Sequence, residues 1–367
     1  MFGVRLQAPP SGPEPRLCQP TGARRLFGLL THRIGNMTAP IRPTQSDVAR
    51  EAGVSRALVS LVVRGEPHVR PDKRAAVQEA IDRLGYRPHG AAAHLAGKRT
   101  QTIGVLVPNL VNPWFGMMIT SLQAAAEGAG LHVVFSAGTA GATNARSPRE
   151  DEAERAREML SGRADALILI SPRLPHEELE SLGSTAPVCV IGRHLQSDRV
   201  SSVQSDPVRG GALAAEHLIS RGASSLAYLA PLGPDAEEVA VHRADGFTST
   251  ARRARVPVRR QDVPIAADPE ELAERMAALV RSGVDGAAVH NDQLALAVLT
   301  TPAADALRGL VGYDATPLTA FPSIALTSID QRSDVLATGA IEAIDGLSQG
   351  RPARHRTVAP SLRTGRT

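Results

Sequence analysis

Apolar positions fall into two textures along this chain, and the change between them comes near residue 100. From Thr44 to Leu84 they recur three and four residues apart in three short stretches. The first, about Gln45 to Ala52, has Thr44 at its start and Asp47 three residues on, a pattern like a capping box, and Gly53 ends it. Ser55 caps a second helix through about Val63, with Val59 and Val62 on one face. Pro71 opens a third at its first helical position, striped by Ala76, Val77, Ala80, Ile81 and Leu84 and stopped by Gly85. Beyond Thr102, short continuous apolar runs take over: Ile103–Val107, Val133–Phe135, Ala166–Ile170, Val188–Ile191, Leu226–Leu229, Ala287–Val289 and Leu310–Val311. Amphipathic stretches such as Glu152–Leu160, Val208–Ser220 and Glu270–Arg281 separate most of them. Continuous apolar strands alternating with helices indicate parallel sheets covered on both faces. The stretch is too long for one such sheet, so two side-by-side α/β lobes are expected.

The predicted organisation is an all-α helix-turn-helix head at 41–87, a linker at 88–99 and a two-lobed α/β body at 100–367. Residues 1–40, rich in Pro, Gly and Arg and without periodicity, read as a disordered tail. Met37 lies just before the first organised segment and is a second candidate start; an intact mass that includes residues 1–36 would rule it out.

Charge sharpens this division. The formal net charge of +4 splits into +4 over residues 1–40, +5 over 41–99 and −5 over 100–367. A basic head on a mildly acidic body suits binding of a polyanion by the head alone. Cys18 and Cys189 have no metal-ligand spacing, and Cys189, inside Val188–Ile191, reads as a small buried thiol in a reducing, cytoplasmic setting. No apolar run approaches a membrane span, and Leu26–Leu30 is too short for the core of an export signal. No phosphate loop, nucleophile elbow or paired metal ligands appear, so neither cofactor nor metal is expected and an enzyme is disfavoured. His290, beside Asn291-Asp292, is at most a stray acid/base candidate.

A helix, a tight turn at Gly53 and a second helix make the spacing that sets a recognition helix into a major groove. Small Ala49 and Ala52 let the helices approach, and Val48, Val54 and Val59 supply a miniature core. Ser55, Arg56 and Ala57 then face base edges, with Arg56 suited to a bidentate contact with guanine. On spacing alone, a three-helix subdomain without DNA function remains an alternative.

Residues 44–99 resemble the head and hinge of the LacI-type repressor family. The match runs through Asp47-Val48-Ala49, Ala52-Gly53-Val54-Ser55, Val59-Ser60, Leu84-Gly85-Tyr86-Arg87-Pro88 and Ala91-Ala92-Ala93-His94-Leu95-Ala96-Gly97-Lys98. The resemblance implies that the hinge becomes helical on DNA and wedges Leu95 into the minor groove, where an apolar side chain partly unstacks a base step. The alternative is a plain linker whose Leu95 packs on the body. The expected DNA-contacting set is Thr44, Ser55, Arg56, Ala57, Ser60, Arg64, Tyr86, His89, Ala92 and Leu95. Leu58, Leu61 and Arg64 stand where the family usually has Thr, Arg and Asn, and Arg70 where a Ser usually caps the third helix. Leu61 cannot hydrogen-bond a base, which alters the operator code and not DNA binding itself.

The body continues the resemblance, to a periplasmic-binding-protein-like core. Its stations are Thr102–Val105, Asn112-Pro113-Trp114-Phe115, Ile191-Gly192-Arg193, Arg243–Phe247 and Asn291–Ala297. It implies a cleft between lobes that takes a small effector, a sugar or similar, through Asn112, Trp114, Phe115, Arg193, Arg243 and Asp292. Each has a duller reading: Asp292 as a helix cap, Arg243 as a surface ion-pair partner, Trp114 and Phe115 as packing. The segment between Asn291 and Gly312-Tyr313-Asp314 is shorter than the family's, so Ala303–Leu310 should form an abbreviated helix or loop. Ala315 replaces a frequent second Asp. The implied whole is a homodimeric transcription regulator, a repressor, that binds palindromic double-stranded operator DNA, with no membrane partner. The competing class is a solute-binding protein of a transport system, which would share the body but has no use for the head.

Overall fold

The computed structural model describes residues 43–63, 66–86, 100–138, 147–162, 164–231, 238–264 and 268–367. The tail at 1–40, the hinge at 88–99 and, within the expected DNA-contacting set, Arg64, His89, Ala92 and Leu95 lie outside them. The chain divides into two compact units, residues 1–92 and 93–367.

In the first unit the capping box forms as the sequence predicts: the Thr44 hydroxyl accepts from the Asp47 N–H while the Asp47 carboxylate takes the Thr44 N–H, and α1 runs Gln45–Glu51. Gly53 (φ 60°) turns the chain into α2, Arg56–Val63, where the Leu58 N–H donates to the Ser55 hydroxyl. Pro71 opens α3, Pro71–Leu84, and Gly85 closes it in the left-handed conformation (φ 60°). Arg70, at the N-cap of α3, makes no side-chain cap and binds Asp72 instead. Val48, Val59 and Val77, all fully buried, meet Ala49, Val62, Val69, Ala80 and Tyr86 in one small core.

The second unit holds two six-stranded sheets. The first orders its strands β11-β5-β4-β3-β1-β2, all parallel, from β1 (Thr102–Val107), β2 (His132–Ala137), β3 (Ala166–Ile170), β4 (Val188–Ile191), β5 (Val200–Ser205) and β11 (His355–Val358). Helices α4 (Pro113–Gly128), α5 (Pro148–Ser161), α6 (His176–Gly183) and α11 (Ser333–Ser348) pack on it. The second orders β12-β10-β9-β8-β6-β7, from β6 (Leu226–Pro231), β7 (Val258–Val263), β8 (Gly286–Val289), β9 (Gly309–Tyr313), β10 (Thr327–Asp330) and β12 (Ser361–Arg363). Only β12 runs antiparallel, along β10. Its helices are α7 (Pro207–Ser220), α8 (Glu238–Arg253), α9 (Pro269–Arg281) and α10 (Asp292–Leu299).

Strand β3 shows why the sequence signal was strong. Every residue of Ala166–Ile170 is buried, because a central parallel strand is covered on both faces. Strands without such runs escaped the pattern. In β5, Ser201 and Ser202 are almost fully buried; Ser201 accepts the Arg354 N–H and Ser202 meets the His355 ring nitrogen at 2.8 Å. Edge strand β7 is mostly polar, with Arg259, Arg260 and Asp262 between its terminal valines. The shortened segment before β9 is a five-residue 3-10 turn, Pro302–Ala306.

The chain crosses between lobes three times, after β5, β10 and β11. Helices α7 and α8 lie close together because Gly211 and Gly246 present no side chains to one another's backbones; a Cβ on Gly246 would sit 2.8 Å from the Val208 carbonyl carbon. Cys189 is fully buried, and burial pushes its thiol up to about 12, so the expected inert thiol is found. Among the described residues, no helix is long and apolar enough to cross a membrane.

Candidate functional site

In the head, Ser55, Arg56 and Ala57 are exposed at the start of α2. Most of the described arginines there are engaged. Arg50 binds Asp47, Arg70 binds Asp72, Arg74 binds the Glu66 carbonyl, and Arg83 joins Glu51 and Glu79. Arg56 has no such partner among the described residues, so its donors are free to reach outward. Ser60 is half-buried, and the Tyr86 ring sits in the head's core at 5% exposure. Leu58 and Leu61 pack on the margin of that core, which gives them a structural reason to be apolar.

In the body, the carboxylate at the lobe junction is Asp314, beyond the C-terminal end of β9. Gln331 donates to Oδ1 at 2.6 Å and Asn112 of the opposite lobe donates to Oδ2 at 3.3 Å. Asp314 (φ 110°) and Ala315 (φ 50°) both occupy positive-φ conformations that side chains disfavour, a form of strain that gathers at binding sites. Arg243 on α8, 5% exposed, donates to the His290 carbonyl at 2.9 Å, and its guanidinium stacks 3.6 Å over the Tyr313 ring. Burial, partly offset by the Arg243 charge and reinforced by the Asp292 charge, pushes the Asp314 carboxyl up to about 7. Burial and the same arginine hold His290 well below its usual range, so the ring stays neutral and is no acid.

This carboxyl sets a pH dependence. A raised value means the fold is stabilised by the protonated form, fully below the ordinary 3.8 and progressively less as pH climbs toward 7. Asp314→Asn, neutral throughout, should therefore gain stability relative to the parent by on the order of 3 kcal/mol between about pH 4 and pH 7.5. Urea midpoints across that window measure it, and parallel profiles would contradict it.

An open pocket of about 280 Å³ is walled by the residues that follow β3 and β4 and by the first turns of α8. Of the six body residues expected from sequence, Arg193 alone lines it. Asn112 and Arg243 belong to the Asp314 cluster. Trp114 and Phe115 are 4% and 5% exposed, edge to face at 5.5 Å within the first lobe's core. Asn112 also caps α4 by accepting the Trp114 N–H. Asp292 is 1% exposed and turned into the second lobe. It accepts from the Ser328 hydroxyl (2.6 Å), the Thr316 N–H and hydroxyl (2.7 and 2.8 Å) and the Thr319 hydroxyl (3.2 Å). The helix cap is Asn291, not Asp292. Asp314 and Gln331 are the residues that sequence reasoning passed over; the available signal was an acid at the end of an apolar run, where parallel-strand sheets present ligands.

Two family models match the chain. Residues 44–89 match the bacterial regulatory proteins of the lacI family, and residues 215–367 match the periplasmic binding protein-like domain. Catabolite control protein A of Staphylococcus epidermidis is 36% identical over 185 residues, covering 50% of this chain and 54% of that protein. The same protein of Priestia megaterium is 32% identical over 184 residues, covering 50% of this chain and 53% of its own. The chain thus spans about half the length of the curated relatives it matches. Among solved structures, a lac repressor dimer bound to operator and the anti-inducer ONPF superposes with a TM-score of 0.72 at 26% identity, covering 89% of this chain and 98% of that one. The transcriptional regulator CelR in complex with cellobiose gives 0.60 at 25% identity, covering 89% and 99%. The chain thus joins, in one polypeptide, a head that matches the lacI family of bacterial regulatory proteins and a body that matches the periplasmic binding protein-like domain.

Proposed function

We propose that this chain is a sequence-specific DNA-binding transcription regulator, acting as a repressor, whose body takes a small effector between its lobes. The observation that carries the reading is the head's second helix, which buries Val59 and Val62 and leaves Ser55, Arg56 and Ala57 exposed at its N-terminal end. That is the end a recognition helix presents to base edges. An exposed guanidinium with no ion pair among the described residues offers its fork to the O6 and N7 of guanine. Arg56→Ala should flatten base preference at one position of each half-site by about 1–3 kcal/mol and lower affinity for unrelated DNA far less. Binding to a library of single-base operator variants reads this, and a uniform loss across all variants would contradict it.

A homodimer supports the same reading. Leu110 and Val111 in the loop before α4, and Val134 and Phe135 on edge strand β2, are each about half exposed, apolar side chains available to a second copy. Two heads then meet the two halves of a palindrome. Leu95 supplies the minor-groove wedge, Arg64 is a second candidate for the base contact that Leu61 cannot make, and Thr44, Ser60, Tyr86, His89 and Ala92 complete the expected DNA-contacting set. Effector binding shifts the lobes, and its influence on DNA affinity is bounded by its differential affinity for the two lobe arrangements. The matching relatives are named as regulators, and a transport protein sharing the body would leave the head without a role.

A further inference from the structure

The pocket walled by the residues after β3 and β4 and by the start of α8 carries a charge pattern that a neutral sugar does not require. Arg149, Arg173 and Arg193 line it with His194 and His242, against the single carboxylate Glu238. Arg149 and Arg173 have no ion pair or side-chain hydrogen bond among the described residues. Arg193 donates to the Leu174 carbonyl at 2.6 Å and stands 3.8 Å from Glu238, whose side chain is 62% exposed. Behind the wall, Glu152, 8% exposed, accepts the Arg173 N–H at 3.0 Å; burial raises its carboxyl above the usual range, partly offset by that bond and by the Arg155, Arg173 and Arg193 charges. Helix starts add to the same field. Arg149 is in the first turn of α5 and Pro175 is the N-cap of α6, so two helix starts border the cavity. Such ends favour anions. Arg173 is half-buried, and a half-buried guanidinium with no ion pair among the described residues favours an anionic partner.

We propose that the effector is a small anion, a sugar-sized polyol bearing a phosphate ester or a carboxylate, with its charged group on Arg173 and Arg149 and its approach to Arg193 in competition with Glu238. This rests on the effector-binding reading of the body and narrows it to a ligand class. A forked guanidinium matches either oxyanion in a bidentate fashion. The pocket's size suits a compact ligand, near the lower end of the usual range of about 300–1,000 Å³.

The test uses the full-length chain and probes matched in shape but not in charge: ribose with ribose 5-phosphate, and glucose with gluconate, at constant ionic strength. Calorimetry and thermal shift should show at least one charged probe binding tenfold or more tighter than its neutral partner, and which pair shows it separates phosphate from carboxylate. Arg173→Gln should weaken that binding tenfold or more, and Arg173→Lys should recover part of it. Should Arg173→Gln fail to fold, Arg149→Gln, at an exposed position, carries the same expectation. Equal binding of neutral and charged probes, no binding of either charged probe, or unchanged affinity in a folded variant overturns the proposal. Selection of DNA by the same preparation runs alongside. A recovered palindrome without anion binding overturns this inference alone, and anion binding without a palindrome overturns only the DNA-reading function.

Discussion

Gly246→Ala is expected to destabilise the body by about 3 kcal/mol or more, although alanine is intrinsically the better helix residue. The propensity gain is only about 1 kcal/mol. Against it stands a new methyl group 2.8 Å from the Val208 carbonyl carbon and 2.9 Å from its Cα, and these are backbone atoms that no rotamer change can withdraw. Overpacking typically costs 1–3 kcal/mol when side chains can yield; here α7 and α8 must separate. Gly116, at an exposed position of α4, has nothing within 4 Å of its would-be Cβ, so Gly116→Ala should be neutral or stabilising by up to about 1 kcal/mol. Thermal unfolding of both variants decides the matter. At roughly 2–4 °C per kcal/mol the first should melt several degrees below the parent. Equal melting temperatures for the two variants would contradict the close helix contact.

The second large effect concerns Asp292. Its carboxylate gathers four donors from three residues, Thr316, Thr319 and Ser328, in a site 1% exposed. It thereby ties the loop after β9 and strand β10 to the start of α10. Asp292→Ala strands those donors in the interior, and losing one partner of such a buried charged cluster costs about 3–5 kcal/mol. Asp292→Asn keeps the shape but turns one acceptor into a donor facing hydroxyls, so an intermediate loss is expected. Denaturant midpoints of the three proteins should fall in the order parent, Asn, Ala. A wild-type midpoint for Asp292→Ala, with effector response lost, would instead return Asp292 to the ligand cleft.

The contrast between Asp292 and Asp314 shows where the sequence stops being readable. Both are acids just past an apolar run, and no periodicity reveals which one reaches the lobe junction. The difference is made by partners distant in sequence: Asn112 and Gln331 for Asp314, Thr316 and Ser328 for Asp292. Elements that depend on local chemistry were legible. The capping box at Thr44, the glycine turns at Gly53 and Gly85, and the runs in β1, β3 and β4 all appear where the pattern places them. Strands β5, β7, β10 and β11 were not, because buried serines satisfied by hydrogen bonds and polar edge strands carry no continuous apolar run. Likewise, Trp114 and Phe115 have the residue types of a ligand wall, but whether an aromatic faces a cleft or a core is a tertiary fact, and here both pack inside the first lobe.

The central claim is that the head reads DNA sequence, and sequencing the fragments that the purified full-length chain retains from random DNA tests it most directly. The expected result is a palindromic motif, its half-sites about one helical turn apart, that loses a defined base preference in Arg56→Ala. Retained fragments with no shared motif, or the same motif in parent and Arg56→Ala, would contradict it.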